Sequence, residues 1–148
     1  MKLKNLILLI IFLCATQFAN AQYVDLKGIT IQATSKMFVE NNEAKSEKLD
    51  QLFNVSFKDY ILVHTIYVDG VIEQSQVYQL SGIDAFVDRD GVTGFKFNAL
   101  SGLSGNTYKY YARVGKDGVL ESLLLEDPTG YKTTYKGGIT ALKTFRQQ

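Results

Sequence analysis

The chain has 148 residues, with 16 lysine and arginine side chains against 15 aspartate and glutamate side chains. A near-neutral chain without a basic run lacks the positive surface expected of a nucleic-acid-binding protein. It also offers no polybasic patch for anionic lipids. Because the sequence contains one histidine and one cysteine, a zinc site built from those two residue types is excluded as well.

The first 21 residues have the composition of a cleaved signal peptide. Two lysines stand within the first four residues, and an apolar run of ten residues follows at 6–15 (LILLIIFLCA). Small residues at 19–21 (ANA) fit a signal peptidase site, which predicts cleavage between Ala21 and Gln22. The apolar run is shorter than the roughly 20 residues of a membrane-spanning helix. We therefore expect export by the Sec route to the periplasm or the extracellular space, as a soluble domain without a transmembrane segment.

The single cysteine, Cys14, lies in the apolar run and suggests one alternative, a lipoprotein signal that would place a lipid on it. Such signals carry a small residue before the cysteine, whereas Leu13 stands there, so the cleaved peptide is favoured. Cleavage would remove two lysines and the cysteine, leaving 14 basic and 15 acidic side chains in residues 22–148. That segment must fold without disulfides, and it is long enough for one hydrophobic core. We predict a single β domain over 22–148.

The tripeptide Asp-Gly-Val occurs three times, at 69–71, 90–92 and 117–119. Asp-Gly between two strand-like segments is a strong signal for a two-residue hairpin, because both central residues of a type I′ turn need positive φ. A calcium loop instead needs oxygen ligands at alternate positions and a glutamate at the twelfth. In the copy with most carboxylates, the twelfth position counted from Asp88 is Ala99. Each copy therefore predicts a turn, and none predicts a calcium site.

The segments between these turns are rich in β-branched and aromatic residues, which favour strands. Further turn signals occur at 101–106 (SGLSGN) and 127–130 (DPTG). Together they predict an antiparallel meander of about seven to eight strands. The predicted strands are 23–33, 54–68, 71–80, 92–100, 106–115, 119–126 and 131–137.

Three segments leave alternatives open. Residues 54–68 fit one bent strand or two, residues 40–52 fit a short surface helix or a loop, and residues 138–148 fit a last strand or a short helix. The stretch 60–68 is apolar on both faces, which predicts a central strand covered on each side. We therefore expect an all-β domain curled into a small barrel or a sandwich, with at most two short helices.

Alternation along the strands assigns faces in the hairpin around Asp117-Gly118. One face is predicted to be solvated and carries Lys109, Tyr111 and Arg113, together with Thr107. The opposite face is predicted to point to the core, and its residues are Tyr108, Tyr110, Ala112, Val114, Val119, Leu123 and Leu125.

In the hairpin around Asp69-Gly70, a two-residue loop sets the register of the two strands. The predicted partners are Tyr67 with Ile72, Ile66 with Glu73, His64 with Ser75, and Leu62 with Val77.

His64 is the only histidine, so its chemistry decides whether a catalytic set exists. A catalytic role would need a nucleophile and an orienting carboxylate. The predicted register places Ser75 opposite it, but in mid-strand and not on the exposed turn that presents such a nucleophile. A structural histidine is favoured. Glu73 and Glu121 could supply paired carboxylates for glycoside chemistry, although glutamates at hairpin ends are common. No catalytic residue, metal site or cofactor is predicted.

The candidate ligand-binding residues are polar and aromatic side chains on two strands. Tyr111 stands between Lys109 and Arg113 on the predicted solvated face, an arrangement that suits a polar or anionic partner. His64 and Tyr67 are further candidates on the apolar strand. The leading hypothesis is a small exported, non-catalytic binding module for an apolar or amphipathic ligand or for an envelope protein. The alternatives are a hydrolase of envelope glycans or lipids, and an assembly subunit that docks through a strand edge.

Overall fold

In the computed structural model, which describes residues 26–87 and 89–144, the chain forms a closed barrel of eight antiparallel strands in meander order. Each strand pairs with the next one in sequence, and the last pairs with the first to close the ring. The strands are β1 Leu26–Glu40, β2 Glu43–Ser56, β3 Ile61–Val68, β4 Val71–Val87, β5 Thr93–Ser101, β6 Thr107–Val114, β7 Leu120–Glu126 and β8 Lys132–Thr144. The all-β meander is thus confirmed, and of the two predicted architectures it is the barrel that forms.

No helix in the described part of the chain is long and apolar enough to cross a membrane. The predicted signal peptide and its cleavage site lie outside the described residues.

The expectation of a helix or loop over residues 40–52 is wrong, because most of this segment is strand β2. The turn before it is Asn41-Asn42, and both residues have positive φ, 53° and 63°. Asparagine adopts this left-handed conformation more easily than most residues, so Asn-Asn serves here as the two-residue hairpin turn. The polar pattern that suggested a surface helix belongs to a hairpin with few buried side chains. The stretch 54–68 is two strands joined by a turn at 57–60, and 132–144 is the last strand.

All three Asp-Gly-Val copies lie in turns, and their glycines have positive φ of 76°, 79° and 79°. At Asp69-Gly70 the aspartate is also left-handed, with φ of 49°, which makes this turn type I′ as predicted. At Gly118 the turn is different, because its N–H donates to the Gly115 carbonyl over 2.8 Å. The described residues contain no cluster of acidic, histidine or cysteine side chains that could hold a metal ion.

We predict that Gly70→Val lowers the free energy of unfolding by about 1–3 kcal/mol, because a β-branched residue is strained at positive φ. A Cβ atom at Gly70 meets nothing within 4 Å, so the loss comes from the backbone alone. The matched control is Gly102→Val, at a turn glycine outside the left-handed region whose added Cβ makes only an ordinary contact at 3.9 Å. Urea unfolding of both variants measures the difference. Equal stability of the Gly70 variant and the parent would contradict the type I′ turn.

The register of the β3–β4 hairpin departs from the predicted one after its first pairs. Tyr67 pairs with Ile72 as predicted, but Ile66 pairs with Gln74, which leaves Glu73 as an extra residue in β4. A bulge of this kind moves every later residue of its strand to the other face. Sequence patterns do not reveal it, because β4 is polar on both faces near the turn.

The bulge corrects the predicted partners in the rest of this hairpin. Tyr78, and not Val77, lies opposite Leu62, and both of these side chains are buried. His64 lies opposite Gln76, whereas Ser75 lies opposite Thr65.

A second bulge corrects one residue of the β6–β7 hairpin. Arg113 pairs with Ser122 and Val114 pairs with Leu120, so Glu121 is the extra residue in β7. Leu120 is therefore buried, and Val119, predicted for the core, is 58% exposed. The remaining predicted core residues of this hairpin face the interior, and the four residues Thr107, Lys109, Tyr111 and Arg113 are exposed as predicted.

The two ends of the barrel differ in what fills them. Phenylalanines fill the end that carries the turns 57–60, 89–91 and 115–119, and we call it the phenylalanine end. There the ring of Phe57 lies 5.6 Å from that of Phe95 and 5.8 Å from that of Phe97.

At the opposite end, β1 and β2 run beyond their neighbours. β2 pairs with β3 only from Asp50 onward, and β1 pairs with β8 only as far as Met37. Residues 38–49 therefore form a two-stranded ribbon, and we call this end of the barrel the ribbon end. No other strand of the described chain pairs with the edge at 43–49.

The outer face of β3 corrects one further expectation. The apolar side chains of β3 predicted that both of its faces would be covered, but Ile61 on the outer face is 39% exposed. In a closed barrel of one sheet, the interior covers one face only, and no second layer formed by residues 26–87 or 89–144 covers β3.

Candidate functional site

Tyrosines line the interior at the ribbon end, where aliphatic side chains would be the simplest filling. We call Tyr78, Tyr108, Tyr110 and Tyr135 the tyrosine cluster; they come from β4, β6 and β8. The rings of Tyr78 and Tyr108 lie 5.9 Å apart, edge to face. The Phe53 ring lies 4.9 Å from that of Tyr135 and 6.2 Å from that of Tyr110. The cluster thus continues the aromatic core toward the ribbon end and adds hydroxyl groups to it.

Burial raises the pKa of three phenols of the cluster, Tyr78, Tyr110 and Tyr135. It raises the pKa of Tyr110 well above its usual value of 10, and the neighbouring phenols of Tyr78 and Tyr135 raise it further. Burial likewise raises the pKa of Tyr135 to about 12, with a contribution from Tyr78. At neutral pH the phenols of Tyr78, Tyr110 and Tyr135 are therefore uncharged and can donate hydrogen bonds.

His64 lies inside the barrel beside this cluster and stacks on Phe53, with ring centroids 4.3 Å apart. Its Nε2 atom donates to Oε1 of Gln51 over 2.9 Å. Burial lowers the pKa of the imidazole to about 4, so His64 is neutral at physiological pH. None of the carboxylates in the described part of the chain contacts the imidazole, and Ser75 lies on the outer face of β4. His64 therefore has the surroundings of a structural histidine and not of a catalytic base.

A second network joins β4 to β5 next to the cluster. The Tyr78 hydroxyl donates to Oε1 of Gln76 over 2.7 Å, and Nε2 of Gln76 donates to the Ser101 hydroxyl over 2.6 Å. Ser101 also accepts the backbone N–H groups of Leu103 and Ser104 and so holds the β5–β6 turn in place. The interior at this end is polar because amides and hydroxyls, rather than charges, line it.

Two hydroxyls of the tyrosine cluster stand apart from these networks. Tyr110 is 2% exposed and Tyr135 is 6% exposed, yet neither phenol hydroxyl has a hydrogen-bond partner among the described residues. In that part of the chain no fully buried side-chain oxygen lacks a partner, so each hydroxyl must reach a space that admits water. A tyrosine buried this deeply usually finds a partner. The hydroxyls of Tyr110 and Tyr135 are therefore hydrogen-bond donors inside the barrel that no described residue accepts.

The rim above the tyrosine cluster combines apolar side chains with one ion pair. Leu49 and Leu125 are partly buried and pack against the core. Lys36 lies opposite the inward-facing Tyr135 in the register of β1 and β8. Its ammonium lies 2.9 Å from the Glu47 carboxylate. The same ammonium stands 5.2 Å from the centre of the Phe38 ring. The charge of Lys36 is therefore already balanced by Glu47.

The sequence-based candidates Lys109 and Tyr111 lie on the outer wall of the barrel. They line a shallow groove of about 230 Å³ at the β4 bulge near Gly82, together with Lys96 and Asn98. Both lysines of the groove are paired: Lys96 lies 3.3 Å from Asp84, and Lys109 lies 3.2 Å from Glu126. Arg113 lies beyond the groove, and its Nε donates to Glu121 over 3.0 Å. Lys109, Tyr111 and Arg113 thus share the outer face, but the charges of Lys109 and Arg113 are already paired with Glu126 and Glu121.

The other candidates are not brought together. Tyr67 is on the outer face of β3 beside Asp50, away from His64. Glu73 stands in the bulge near the ribbon end, whereas Glu121 stands near the phenylalanine end. These two glutamates therefore do not converge in one cleft.

Sequence reasoning missed most residues of this interior site. Tyr108 and Tyr110 are predicted for the core without a polar role. The register without a bulge pairs Leu62 with Val77 and so misses Tyr78, which lies opposite Leu62 in the structure. Gln51 lay in a segment not expected to be a strand. The one available signal was the spacing of Tyr108 and Tyr110, two hydroxyl-bearing side chains on an otherwise apolar face.

Comparisons with protein-family models, curated proteins and solved structures give no significant match to this chain. The class of protein is thus defined by its fold and its interior alone. It is a small closed antiparallel barrel, filled with phenylalanine at one end and lined with uncharged hydrogen-bonding groups at the other.

Proposed function

We propose that this protein is a non-catalytic binding protein that holds a small amphipathic ligand at the ribbon end of its barrel. Barrels of eight strands are just wide enough to be filled by side chains or to hold one small ligand. Ligands bind preferentially in barrel mouths, where an apolar lining carries a few well-placed polar groups. The observation that carries the proposal is the pair of hydroxyls on the buried residues Tyr110 and Tyr135, which have no hydrogen-bond partner among the described residues and reach a space that admits water.

The surroundings of these donors support a ligand with an apolar portion. Leu49, Leu125 and the Tyr108 ring are partly buried around the tyrosine cluster. A short apolar chain or ring above the polar contact would cover these side chains, which gains the free energy of removing apolar surface from water. The proposal thus assigns the polar head to the interior and the apolar part to the rim.

The alternative functions have less support. A glycoside hydrolase needs two carboxyl groups on either side of the scissile bond, and Glu73 and Glu121 are at opposite ends of the barrel. Assembly through a strand edge would use residues 43–49, but this edge carries Lys45, Glu47 and Lys48. Charged side chains, lysine above all, are a common means of discouraging edge-to-edge pairing.

The place of action is part of the proposal. The leader at residues 1–21 favours a role in the periplasm or outside the cell, and small ligands or envelope proteins are the partners available there. Mass spectrometry of the processed protein, with Gln22 at its N-terminus, would support this location.

The test of binding uses two neighbouring threonines of β8 that point to opposite faces. Thr133 lies opposite Leu125 on the inner face, and Thr134 lies opposite Leu124 on the outer face. We predict that the purified protein enhances the fluorescence of the neutral apolar probe N-phenyl-1-naphthylamine. Thr133→Trp should weaken this binding about tenfold or more, because the indole occupies the rim.

Thr134→Trp is the matched control and should bind as the parent does. Circular dichroism of both variants verifies that the barrel is intact. The proposal fails if the folded parent protein does not bind this probe, or if the two substitutions have the same effect.

A further inference from the structure

We infer that the ligand presents an uncharged hydrogen-bond acceptor, an amide or ester carbonyl, to the Tyr110 and Tyr135 hydroxyls, and that the barrel discriminates against the corresponding carboxylate. This inference rests on the proposed function and specifies the chemistry of the same site. It follows from which polar groups the interior offers and which it lacks.

The interior offers donors that have no other use. Gln76 already accepts from Tyr78, and Gln51 already accepts from His64. The phenols of Tyr110 and Tyr135 remain, and each is a single O–H donor. A carbonyl oxygen has two lone pairs and can accept both donors at once. A ligand group that only donates could use the second lone pairs of the Gln51 and Gln76 oxygens, but it would leave the O–H groups of Tyr110 and Tyr135 without an acceptor.

The interior also lacks a positive charge that could balance an anion. Among the described inward-facing residues near the cluster, the cation is Lys36, whose ammonium is bound to Glu47 at 2.9 Å. His64 is neutral at physiological pH because burial lowers its pKa to about 4. Burying a carboxylate without a counter-charge costs far more free energy than burying a hydrogen-bonded neutral carbonyl. The site should therefore select ligands by the charge of the head group.

The experiment compares three ligands that share one alkyl chain, namely octanamide, methyl octanoate and octanoate. Their affinities at pH 7.5 are measured by displacement of N-phenyl-1-naphthylamine from the intact protein. We expect the amide and the ester to bind at least about tenfold more tightly than octanoate, since only the anion requires an unbalanced buried charge.

Two tyrosine variants locate the contact. Tyr110→Phe should weaken octanamide binding about tenfold, because one donor to the carbonyl is lost. Tyr111→Phe is the matched control on the outer face of the same strand, and it should leave all three affinities unchanged. Tyr135→Phe should reproduce the effect of Tyr110→Phe.

The outcomes separate the two proposals. If neither the probe nor any of the three ligands binds the folded protein, the binding function itself is wrong. If the probe binds but octanoate equals or exceeds octanamide, the head-group inference is overturned while the binding function stands. The inference is equally overturned if Tyr110→Phe and Tyr111→Phe affect octanamide alike.

Discussion

Gly137→Ala should prevent the barrel from closing. Gly137 pairs with Ala33 where β8 crosses β1, and Thr34 is an extra residue of β1 at this point. A Cβ atom on Gly137 would lie 1.9 Å from the Gln32 carbonyl oxygen and 2.8 Å from the Ala33 Cα atom. Both of these are backbone atoms, so no side-chain rotation relieves the overlap, and the two strands must separate. We expect a loss of about 3 kcal/mol or more in the free energy of unfolding, at or beyond the upper range for overpacking.

The neighbouring glycine supplies the control. A Cβ atom on Gly138 meets nothing within 4 Å, so Gly138→Ala should leave stability nearly unchanged or raise it slightly through a less flexible unfolded chain. Circular dichroism and urea unfolding of the two variants give the comparison. If the Gly137 variant does not fold at all, its circular dichroism spectrum loses the strand signal while that of the Gly138 variant keeps it. This outcome also supports the prediction. Similar stability of both variants would refute the close approach of β8 to β1.

The second large effect is a dependence of stability on pH that originates from His64. Burial lowers the pKa of its imidazole from 6.5 to about 4. Below pH 6.5 the unfolded chain binds a proton at His64 while the folded protein does not, so the free energy of unfolding falls as the pH falls. The loss ends near pH 4, where the folded protein also binds the proton, and its full extent is about 3 kcal/mol.

His64→Gln removes this proton uptake and keeps an amide that can contact Gln51. Urea unfolding of the parent and the variant at pH 7.5 and at pH 4.5 gives the change in the free energy of unfolding with pH for each protein. Comparing the two changes isolates His64, because the contribution of the carboxylates is common to both proteins. The phenols of Tyr78, Tyr110 and Tyr135 remain protonated throughout this range, because burial raises each pKa above 10. NMR titration of the imidazole C–H signal gives an independent value. A midpoint near 6.5, or equal pH dependence in the two proteins, would contradict the burial of this ring.

The turn chemistry and the strand alternation were readable from the sequence. Asp69-Gly70 predicted the type I′ hairpin, and alternation placed Tyr110, Ala112 and Leu123 inside. These features are local, because a turn type or a strand face depends on a few adjacent residues. The choice between barrel and sandwich was open, since it depends on whether the last strand meets the first, and no local pattern encodes that contact.

The interior site was less predictable because it depends on two irregularities. The bulge at Glu73 decides that Tyr78 and Gln76 face inward, and a single extra residue leaves no mark in a polar stretch. Gln51 enters the site from β2, a strand whose first half is exposed and therefore lacks an apolar pattern. Sequence patterns identify buried apolar faces well, whereas buried polar groups are recognised only once their partners across the sheet are known.

Closure between β1 and β8 also has a consequence for how the chain folds. Seven of the eight strand contacts join neighbours in sequence and can form as independent hairpins, but Leu26 meets Thr144 at the far end of the domain. Bringing such distant segments together costs about 4 kcal/mol of chain entropy for a loop of this length. Contacts of this separation slow folding. During synthesis, β1 keeps one hydrogen-bonding edge unpaired until β8 has been made, and this is the interval in which a nascent chain of this design is most open to aggregation.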